Sequence, residues 1–282
     1  VSDDDDDDLD GADAHHDARP HDDDLDGDDE YADCDSTEEL DQLEDIDDEL
    51  LEDPAEITKY RIVVGKLLYW SHYRYDMQFH VRMLCQEMQM PTAGGMKRAK
   101  HLVRYCMGIH HYGLVFGEHN SPTEITVFTD SDWAGSKDRR SVSSGVTLLA
   151  GCPMASWSRT QLKSSVALSS GEAEFLAAVT AIIEGLGIAA VLEEINIVLP
   201  VRIHVDSTVC LAVLHRLGAG NRFKHVETKF FFVQDLVRSG RIATAQVATE
   251  VNPADIGTKS LSAAKLQDLL PLAGMTVYKE AS

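Results

Sequence analysis

Four acidic residues are spaced so that a sheet protein could bring their carboxylates together. Asp130 lies late in a predicted strand and shares one strand face with Asp132, so the pattern leaves either as a candidate. Asp206 is the last residue of another predicted strand, directly before a helix, while Glu174 and Asp255 fall in the first turns of predicted helices.

In α/β sheets, ligands bind at the carboxyl ends of strands and at helix N-termini. Clustered carboxylates repel unless a cation neutralises them, and Mg²⁺ or Mn²⁺ suits hard oxygen ligands. Because two such ions about 4 Å apart can clamp an in-line phosphoryl displacement, the pattern predicts phosphodiester hydrolysis.

Each carboxylate also has a structural explanation. Ser169-Ser-Gly-Glu172 is a capping box, which makes Glu172 a structural residue. Glu174 lies about 200° further around the helix and is therefore the better ligand. Asn252-Pro-Ala-Asp255 matches an N-cap, a proline at N1 and an acidic N3 residue, and Asp206 could cap the helix that follows it. For any one of these carboxylates alone, a purely structural role is the more plausible explanation. It is much less plausible that all four have only structural roles.

The elements that must position these side chains follow from hydrophobic periodicity. Strands are predicted at residues 125–132, 142–150, 154–159, 201–206 and 242–249. Helices are predicted at residues 60–89, 96–108, 172–195, 208–216, 224–239 and 252–270. Three strands followed by alternating helices and strands indicate an α/β fold, with a mixed sheet and helices on its faces.

The 282-residue chain divides sharply in charge. Residues 1–58 carry 29 of its 48 acidic residues and only one of its 25 basic residues, so the remainder is near +5. We expect this acidic tail to be disordered, because it has too little apolar surface to offset the entropy of ordering and its charges repel. The net charge of -23 would argue against nucleic acid as a partner, but its confinement to the tail removes that objection.

Cysteine usage and hydropathy indicate a location inside the cell. The five cysteines are far apart with no C-x-x-C pair, which argues against a disulfide scaffold or a zinc ribbon. No apolar run approaches the length of a membrane span, and the Val-Ser-Asp start is unlike a signal peptide. We therefore expect an intracellular protein, cytoplasmic or nuclear, that is not secreted and has no membrane partner.

Seven short motifs follow one another in an order that is typical of one protein family. They are Thr129-Asp-Ser-Asp-Trp-Ala-Gly, Arg139-Arg-Ser-Val-Ser-Ser-Gly, Ser156-Trp-Ser, Ala167-Leu-Ser-Ser-Gly-Glu-Ala-Glu-Phe, Val205-Asp-Ser, Lys224-His-Val-Glu and Ala254-Asp-Ile-Gly-Thr-Lys. Together they resemble the ribonuclease H domain of copia-type LTR retrotransposon Pol polyproteins. Upstream, Tyr60-Arg-Ile-Val-Val-Gly-Lys-Leu-Leu-Tyr, Arg74-Tyr-Asp-Met and Ala99-Lys-His-Leu-Val-Arg-Tyr resemble the end of the reverse transcriptase of that polyprotein. The resemblance spans about residues 60–270 and excludes the acidic tail.

This resemblance implies a ribonuclease H-like fold, a five-stranded mixed sheet flanked by helices. It divides the chain into a disordered acidic tail at 1–58, a helical segment resembling the end of reverse transcriptase (its thumb or connection) at 59–118, and a ribonuclease H-like domain at 119–282. It also implies a metal-dependent endonuclease that cleaves the RNA strand of RNA–DNA hybrids with two Mg²⁺ ions, for which Mn²⁺ may substitute. The implied partners are hybrid or duplex nucleic acid and the rest of the Pol polyprotein, including the polymerase palm, in cis or in trans. The implied cytoplasmic location is a virus-like particle.

The resemblance also assigns roles to individual residues. The catalytic and metal-binding residues that it implies are Asp130, Glu174, Asp206 and Asp255. Candidates for contact with nucleic acid are Arg159, Lys163, Ser207, Lys224, His225 and Lys259, although a packing or hydrogen-bonding role is at least as plausible for His225.

Two departures from the family pattern bear on these roles, and one absent motif bears on the activity. Ser207 stands where the family usually has Asn, and Gly257 replaces a large apolar residue, which we expect to loosen the helix that carries Asp255. The polymerase motif Tyr-x-Asp-Asp is absent from the sequence, so we expect no polymerase activity from this chain.

Two functions of other classes compete with the enzyme. The chain could be a catalytically inactive retrotransposon remnant, or an adopted module that binds nucleic acid. It could also be an interaction protein whose rigid core displays an acidic tail to basic partners. The intact quartet of carboxylates favours the enzyme over the inactive remnant, and comparing binding and cleavage before and after deletion of residues 1–58 would test the interaction protein.

Overall fold

The computed structural model describes residues 49–116, 121–136, 139–162, 166–216 and 227–277, without the side chains of 227–230. The candidate residues Lys163, Lys224 and His225 lie outside the described residues. So do residues 1–48, on which most of the prediction of a disordered tail falls.

The folded part of the chain begins earlier than the sequence predicts. Helix α1 spans Pro54–Trp70, and the side chain of Asp53 caps it by accepting a hydrogen bond of 2.9 Å from the amide of Ala55. The amide of Leu51 donates to the carbonyl of Pro91 at 2.9 Å, so residues before the helix are already tied to the fold. The boundary predicted at residue 58 is therefore wrong, because both the capping residue Asp53 and the hydrogen-bonded Leu51 lie before it.

The N-terminal segment contains three helices rather than two. After α1 come a 3₁₀ turn at Tyr75–Met77, helix α2 at Gln78–Gln86 and helix α3 at Ala93–Gly108. The single helix predicted over residues 60–89 is wrong, because a buried network interrupts it. Asp76 accepts hydrogen bonds from Nε and Nη2 of Arg74, at 3.0 and 2.7 Å, and from the Tyr105 hydroxyl at 2.9 Å. This network fixes a turn between α1 and α2.

A five-stranded mixed sheet forms the second part of the molecule, as predicted. Its strands are β2 (Ile125–Asp132), β3 (Val142–Leu149), β4 (Cys152–Thr160), β5 (Val201–Val205) and β6 (Ile242–Gln246). The spatial order is β4-β3-β2-β5-β6, with β2, β3 and β4 antiparallel in sequence and β2, β5 and β6 parallel. Strands β1 (Tyr112–Leu114) and β7 (Met275–Val277) form a separate antiparallel pair that the sequence pattern did not indicate.

Helices cover both faces of the central sheet. Helices α4 (Ser170–Glu193), α5 (Thr208–His215) and α6 (Glu227–Arg238) contribute to an apolar core on one face. Helices α1 to α3 contribute to a second core on the other face, which includes Val146 of β3. Helix α4 is long and apolar enough to span a membrane, but half of its most apolar window is buried in the protein, which is typical of a central core helix.

The last predicted helix, over residues 252–270, is wrong. The chain instead forms a 3₁₀ turn at Pro253–Gly257 and, after a break, the short helix α7 at Ala263–Leu269. The break has two local causes. The Thr258 hydroxyl turns away to donate a hydrogen bond to Asp130, and Ser262 caps α7 as a new helix.

Gly257 tightens this turn rather than loosening it. A Cβ atom at this position would lie 2.1 Å from the Ser144 hydroxyl oxygen and 2.9 Å from the Ser144 Cβ. The backbone of the turn can approach β3 so closely only because residue 257 has no side chain. The Ser158 hydroxyl donates to the Gly257 carbonyl at 2.5 Å and secures the contact.

Candidate active site

Three carboxylates meet at the carboxyl ends of the parallel strands. Asp130, Glu174 and Asp206 each place one potential ligand atom within 4.8 Å of the others. The parallel register that pairs Phe128 with His204 brings Asp130 and Asp206 to the same level of the sheet. The start of α4 lies over this edge and supplies Glu174 from the face on which the helix packs. Asp130 and Glu174 are buried, and Asp206 is half-buried.

Hydroxyl groups from the last loops orient two of these carboxylates. Thr258 donates to Oδ2 of Asp130 at 2.7 Å, and Thr249 donates to Oδ2 of Asp206 at 3.0 Å. The amide of the buried Asn252 side chain donates to the Thr129 carbonyl at 3.0 Å, which ties the 3₁₀ turn to β2. Neither threonine was predicted. Thr258 lies inside the Ala-Asp-Ile-Gly-Thr-Lys motif and could have been found there, whereas Thr249 carries no sequence signal.

Burial and mutual repulsion raise the pKa values of the clustered carboxylates. Burial raises the pKa of Asp130 to about 7, with a further increase from the charge of Asp255 and an opposing hydrogen bond from Thr258. Burial also raises the pKa of Glu174 to about 9, helped by the charges of Asp130 and Asp206 and opposed by the Ser131 backbone. The metal-free cluster therefore retains protons at neutral pH, and a divalent cation would compete with those protons for the site.

The arrangement fits a hard divalent cation. All three side chains offer carboxylate oxygens, the ligands that Mg²⁺ and Mn²⁺ prefer. Within the described part of the chain, Oε2 of Glu174 is buried and accepts no hydrogen bond. A buried acceptor without a partner is costly, and a bound cation would remove that cost.

Asp255, the fourth predicted ligand, lies beside the cluster but not in it. Its buried side chain forms an ion pair of 3.1 Å with Nζ of Lys259, one helical turn later. Burial lowers the pKa of Lys259, but the charge of Asp255, its hydrogen bond and the charges of Asp130 and Asp132 together outweigh burial, so the net pKa is raised. The structure thus brings three of the four predicted ligands within 4.8 Å of one another, and the fourth, Asp255, interacts with Asp130 as well as with Lys259.

Asp132 and Glu172 each lie two residues from a member of the acidic cluster, but neither belongs to the cluster. A Cβ atom at Gly135 would lie 1.5 Å from Oδ2 of Asp132, so this carboxylate folds over the turn after β2 and is not in the cluster. Oε2 of Glu172 accepts a hydrogen bond of 2.7 Å from the amide of Leu168, and the Ser169 hydroxyl accepts one of 3.3 Å from the Glu172 amide. Glu172 therefore caps α4, as predicted.

The remaining candidates for contact with nucleic acid have partners within the protein. Ser207 caps α5 by accepting from the amide of Cys210 at 3.1 Å. Arg159 forms an ion pair of 2.8 Å with Glu184 of α4, about 15 Å along the helix from Glu174. Lys259 is the only one of these described candidates that contacts an acidic residue of the predicted quartet.

The strand order, the mixed pairing and the acidic cluster define a ribonuclease H-like fold. Among solved structures, the chain is similar to the N-terminal RNase H domain of rv2228c from Mycobacterium tuberculosis, with 14% identity, a TM-score of 0.37, and coverage of 54% of this chain and 96% of that chain. It is also similar to the foamy viral protease-reverse transcriptase in complex with RNA/DNA hybrid. This match has 9% identity and a TM-score of 0.42, and it covers 76% of this chain and 27% of that chain.

Sequence relatives identify the family. The chain is 31% identical over 221 residues to the retrovirus-related Pol polyprotein from transposon RE1 of Arabidopsis thaliana, which covers 78% of this chain and 15% of that protein. It is 27% identical over 218 residues to the corresponding polyprotein from transposon TNT 1-94 of Nicotiana tabacum, with coverage of 77% and 16%. No family model matches the chain. The chain belongs to the retrovirus-related Pol polyproteins of copia-type transposons, and it spans about 15% of the length of RE1.

Proposed function

We propose that the chain is a metal-dependent nuclease that hydrolyses the RNA strand of RNA–DNA hybrids as part of a Pol polyprotein. The observation that carries this proposal is the convergence of Asp130, Glu174 and Asp206 at the carboxyl edge of the sheet. Such a buried acidic group is unfavourable by itself, because its pKa values are raised, and it is therefore a candidate functional site.

The residues of the chain have distinct roles in this proposal. Asp130, Glu174 and Asp206 would hold Mg²⁺, with two ions as the resemblance implies. Bound Mg²⁺ supplies positive charge that acidifies a coordinated water and offsets charge on the phosphate. Thr258 and Thr249 keep two of the carboxylates in one orientation, which reduces the reorganisation that binding requires.

Family membership supports the proposed substrate and partners. The RNA–DNA hybrid is the substrate, and the remainder of the Pol polyprotein, in cis or in trans, supplies the polymerase. We place the activity inside the cell, because a Pol polyprotein acts on nucleic acid there.

One observation favours a second function, that of a nucleic-acid-binding module without catalysis. Asp255 interacts with Asp130, but its carboxylate is also paired with Lys259 and is not part of the group of three whose ligand atoms all lie within 4.8 Å of one another. If this ion pair persists when metal and substrate bind, the site has three acidic ligands, and cleavage could be lost while binding remains.

A cleavage assay decides between the two functions. The full chain is incubated with a hybrid whose RNA strand is labelled, in Mg²⁺, in Mn²⁺ and in EDTA. We expect cleavage of the RNA strand in either metal and none in EDTA. Hybrid binding without cleavage in either metal would establish the binding module instead.

The matched variant for this assay is Asp206→Asn, which is nearly isosteric and can still accept the hydrogen bond from Thr249. We expect it to lose cleavage because it removes a charge that holds the cation, while its unfolding temperature and hybrid affinity in EDTA stay close to those of the parent. Equal cleavage by the variant and the parent at saturating Mg²⁺ would refute the assignment of Asp206.

A further inference from the structure

The side chain of Gln161, directly after β4, contacts both the central sheet and helix α4. Its Nε2 group donates hydrogen bonds to the Ser143 hydroxyl of β3 at 2.8 Å and to the Ala173 carbonyl of α4 at 3.0 Å. The Ser131 hydroxyl of β2, which lies opposite Ser143 in the antiparallel register, is further away at 3.4 Å. Because an amide nitrogen carries only two hydrogens, the two shorter contacts are the effective hydrogen bonds.

The Ala173 carbonyl fixes which end of the Gln161 amide faces the helix. A carbonyl oxygen can only accept, so the group beside it must be the NH2 group of Gln161 and not its oxygen. The backbone of Gln161 is also held, since its amide donates to the Ser141 carbonyl at 2.8 Å. Gln161 therefore forms a cross-link from the end of β4 to the first turns of α4.

The residues beside the Gln161 side chain are chain neighbours of two carboxylates of the acidic cluster. Ala173 directly precedes Glu174, and Ser131 directly follows Asp130. The backbone amide of Ser131 also donates a hydrogen bond to the Glu174 carboxylate. Gln161 thus joins the backbone beside Glu174 to the part of the sheet beside Asp130.

The other end of the Gln161 amide is buried without a partner. Among the described residues, no group donates a hydrogen bond to Oε1 of Gln161. An unpartnered buried carbonyl oxygen costs free energy. An apolar side chain of the same length would avoid this cost, so stability alone does not explain a glutamine here. The specific contribution of glutamine is its NH2 group, which reaches the first turns of α4.

The position of α4 matters because the three clustered carboxylates come from different kinds of element. Asp130 and Asp206 are placed by the paired strands β2 and β5, which backbone hydrogen bonds hold in register. Glu174 comes from a helix, which has no backbone ladder to the sheet. Apolar packing beneath the helix is not directional. A hydrogen-bonded side chain between helix and sheet therefore defines the position of Glu174 more closely than packing does.

We propose that Gln161 is a positioning residue for the acidic cluster, which holds the first turns of α4 so that Glu174 and Asp130 can bind the same cation. It acts through the Ala173 carbonyl and does not itself contact the cation. The proposal rests on the proposed function for the identity of the cation. A ligand that is held in place before binding needs less reorganisation, so the expected benefit is higher affinity for Mg²⁺.

Gln161→Met tests the proposal, because methionine keeps the length of the side chain and cannot donate. Unfolding temperatures of the full chain are measured in EDTA and across a Mg²⁺ series. The effect of the cluster is the part of the Mg²⁺-dependent rise that Asp206→Asn removes, because residues 1–48 also attract cations. We expect the midpoint of this part to move to about tenfold higher Mg²⁺, the lower end of the range for groups that orient metal ligands. An unchanged midpoint would overturn the proposal.

The unfolding temperature in EDTA separates positioning from a general structural role. We expect Gln161→Met to change it little, because the substitution removes the unpaired Oε1 together with the two hydrogen bonds. Ile182→Val is the matched control. Ile182 is fully buried on α4, eight residues or about 12 Å along the helix from Glu174.

Loss of a buried methyl group in Ile182→Val should lower the unfolding temperature in EDTA and leave the Mg²⁺ midpoint unchanged. If weaker Mg²⁺ binding accompanies lost stability in both variants, Gln161 acts only through stability and the proposal is wrong.

Ser143→Ala tests the link from the other side, because it removes the acceptor that anchors the Gln161 side chain to β3. We expect it to weaken Mg²⁺ binding in the parent and to have little further effect in Gln161→Met, since both changes break the same link. Effects that simply add would show that the two residues act separately, and would contradict the proposal.

Failure of the proposed function has a different outcome in these experiments. If the parent binds Mg²⁺ at the cluster but cleaves no hybrid, the nuclease is refuted, and weaker Mg²⁺ binding by Gln161→Met still supports the positioning role. If Asp206→Asn removes none of the effect of Mg²⁺ on the parent, both proposals are overturned.

Discussion

Glu172 and Glu174 lie two residues apart on α4 and have different roles. The Glu172 carboxylate accepts a backbone hydrogen bond from Leu168, whereas Glu174 belongs to the acidic cluster. We predict that Glu172→Gln changes hybrid cleavage little, because a glutamine oxygen can accept the same hydrogen bond. Glu174→Gln should lower cleavage by orders of magnitude, because it removes a charge that holds the cation.

Initial rates in Mg²⁺, measured beside unfolding temperatures for both variants, check this ranking. Each variant is the control for the other, since both changes replace a buried glutamate of the same helix with glutamine. A larger loss of activity for Glu172→Gln would show that the wrong face of α4 has been assigned to the site.

The raised pKa values of Asp130 and Glu174 predict how the stability of the metal-free protein depends on pH. Unfolded carboxyl groups have pKa values of about 4, whereas those of the folded protein are about 7 for Asp130 and about 9 for Glu174. Between these limits the folded state binds more protons than the unfolded state. The free energy of unfolding contributed by the two groups is therefore full below about pH 4 and falls as the pH rises to about 9.

Denaturant unfolding in EDTA at a series of pH values measures this dependence. We expect Glu174→Gln to remove the part of the decrease that lies between about pH 7 and pH 9, because Asp130 has already titrated by then. Added Mg²⁺ should stabilise the parent more at high pH than at low pH, since it competes with protons for the same oxygens. A flat profile in EDTA would contradict the raised pKa values.

Among the secondary-structure elements, the 3₁₀ turn Pro253–Gly257 matters most for the site. It carries Asp255 and leads directly into Thr258, and it reaches β3 because Gly257 has no side chain. Helix propensity has little influence here, since the close backbone contact sets the position of the turn.

We predict that Gly257→Ala destabilises the protein by about 1–3 kcal/mol, because the new methyl group would overlap both the hydroxyl and the Cβ of Ser144. Activity should also fall, because the turn that orients Asp130 through Thr258 must move. Denaturant unfolding and cleavage rates measure the two effects.

Gly187→Ala is the control for this substitution. A Cβ atom at Gly187, on an exposed face of α4, would meet nothing within 4 Å. Alanine there should stabilise the protein by about 0.4–1 kcal/mol through its higher helix propensity. If both substitutions have the same effect, close packing at Gly257 is not the cause.

For the whole molecule, the uneven distribution of charge is the feature with functional consequences. Residues 1–48 carry 25 acidic residues and one basic residue. Because they are covalently attached, their local concentration near the basic groups of the folded part is high, and they should compete with nucleic acid for those groups.

We predict that removal of residues 1–48 raises affinity for the hybrid, most strongly at low salt. Near 0.15 M ionic strength the Debye length is about 8 Å, so screening should reduce the gain. Affinities of both proteins across a salt series measure the effect. The matched control is a chain of full length in which these acidic residues are replaced with Asn and Gln. It should show the same gain in affinity. Indistinguishable binding curves for all three proteins would leave the segment without an inhibitory role.

Much of the fold and part of the site could be predicted from local patterns. Alternating apolar residues indicated the five strands, and Ser169 and Asn252 marked the starts of α4 and of the last turn. The positions of Asp130, Glu174 and Asp206 at element ends indicated that they would meet. These features are determined within a few residues of sequence, because strand alternation and helix capping are local interactions.

Only the tertiary structure decided the features that depend on residues far apart in the chain. Asp76 interrupts the first predicted helix through Tyr105, Gly257 needs the position of Ser144, and Thr249 is placed by its contact with Asp206. A local pattern contains no information about such contacts, because their energies arise only when packing of the whole chain brings the groups together.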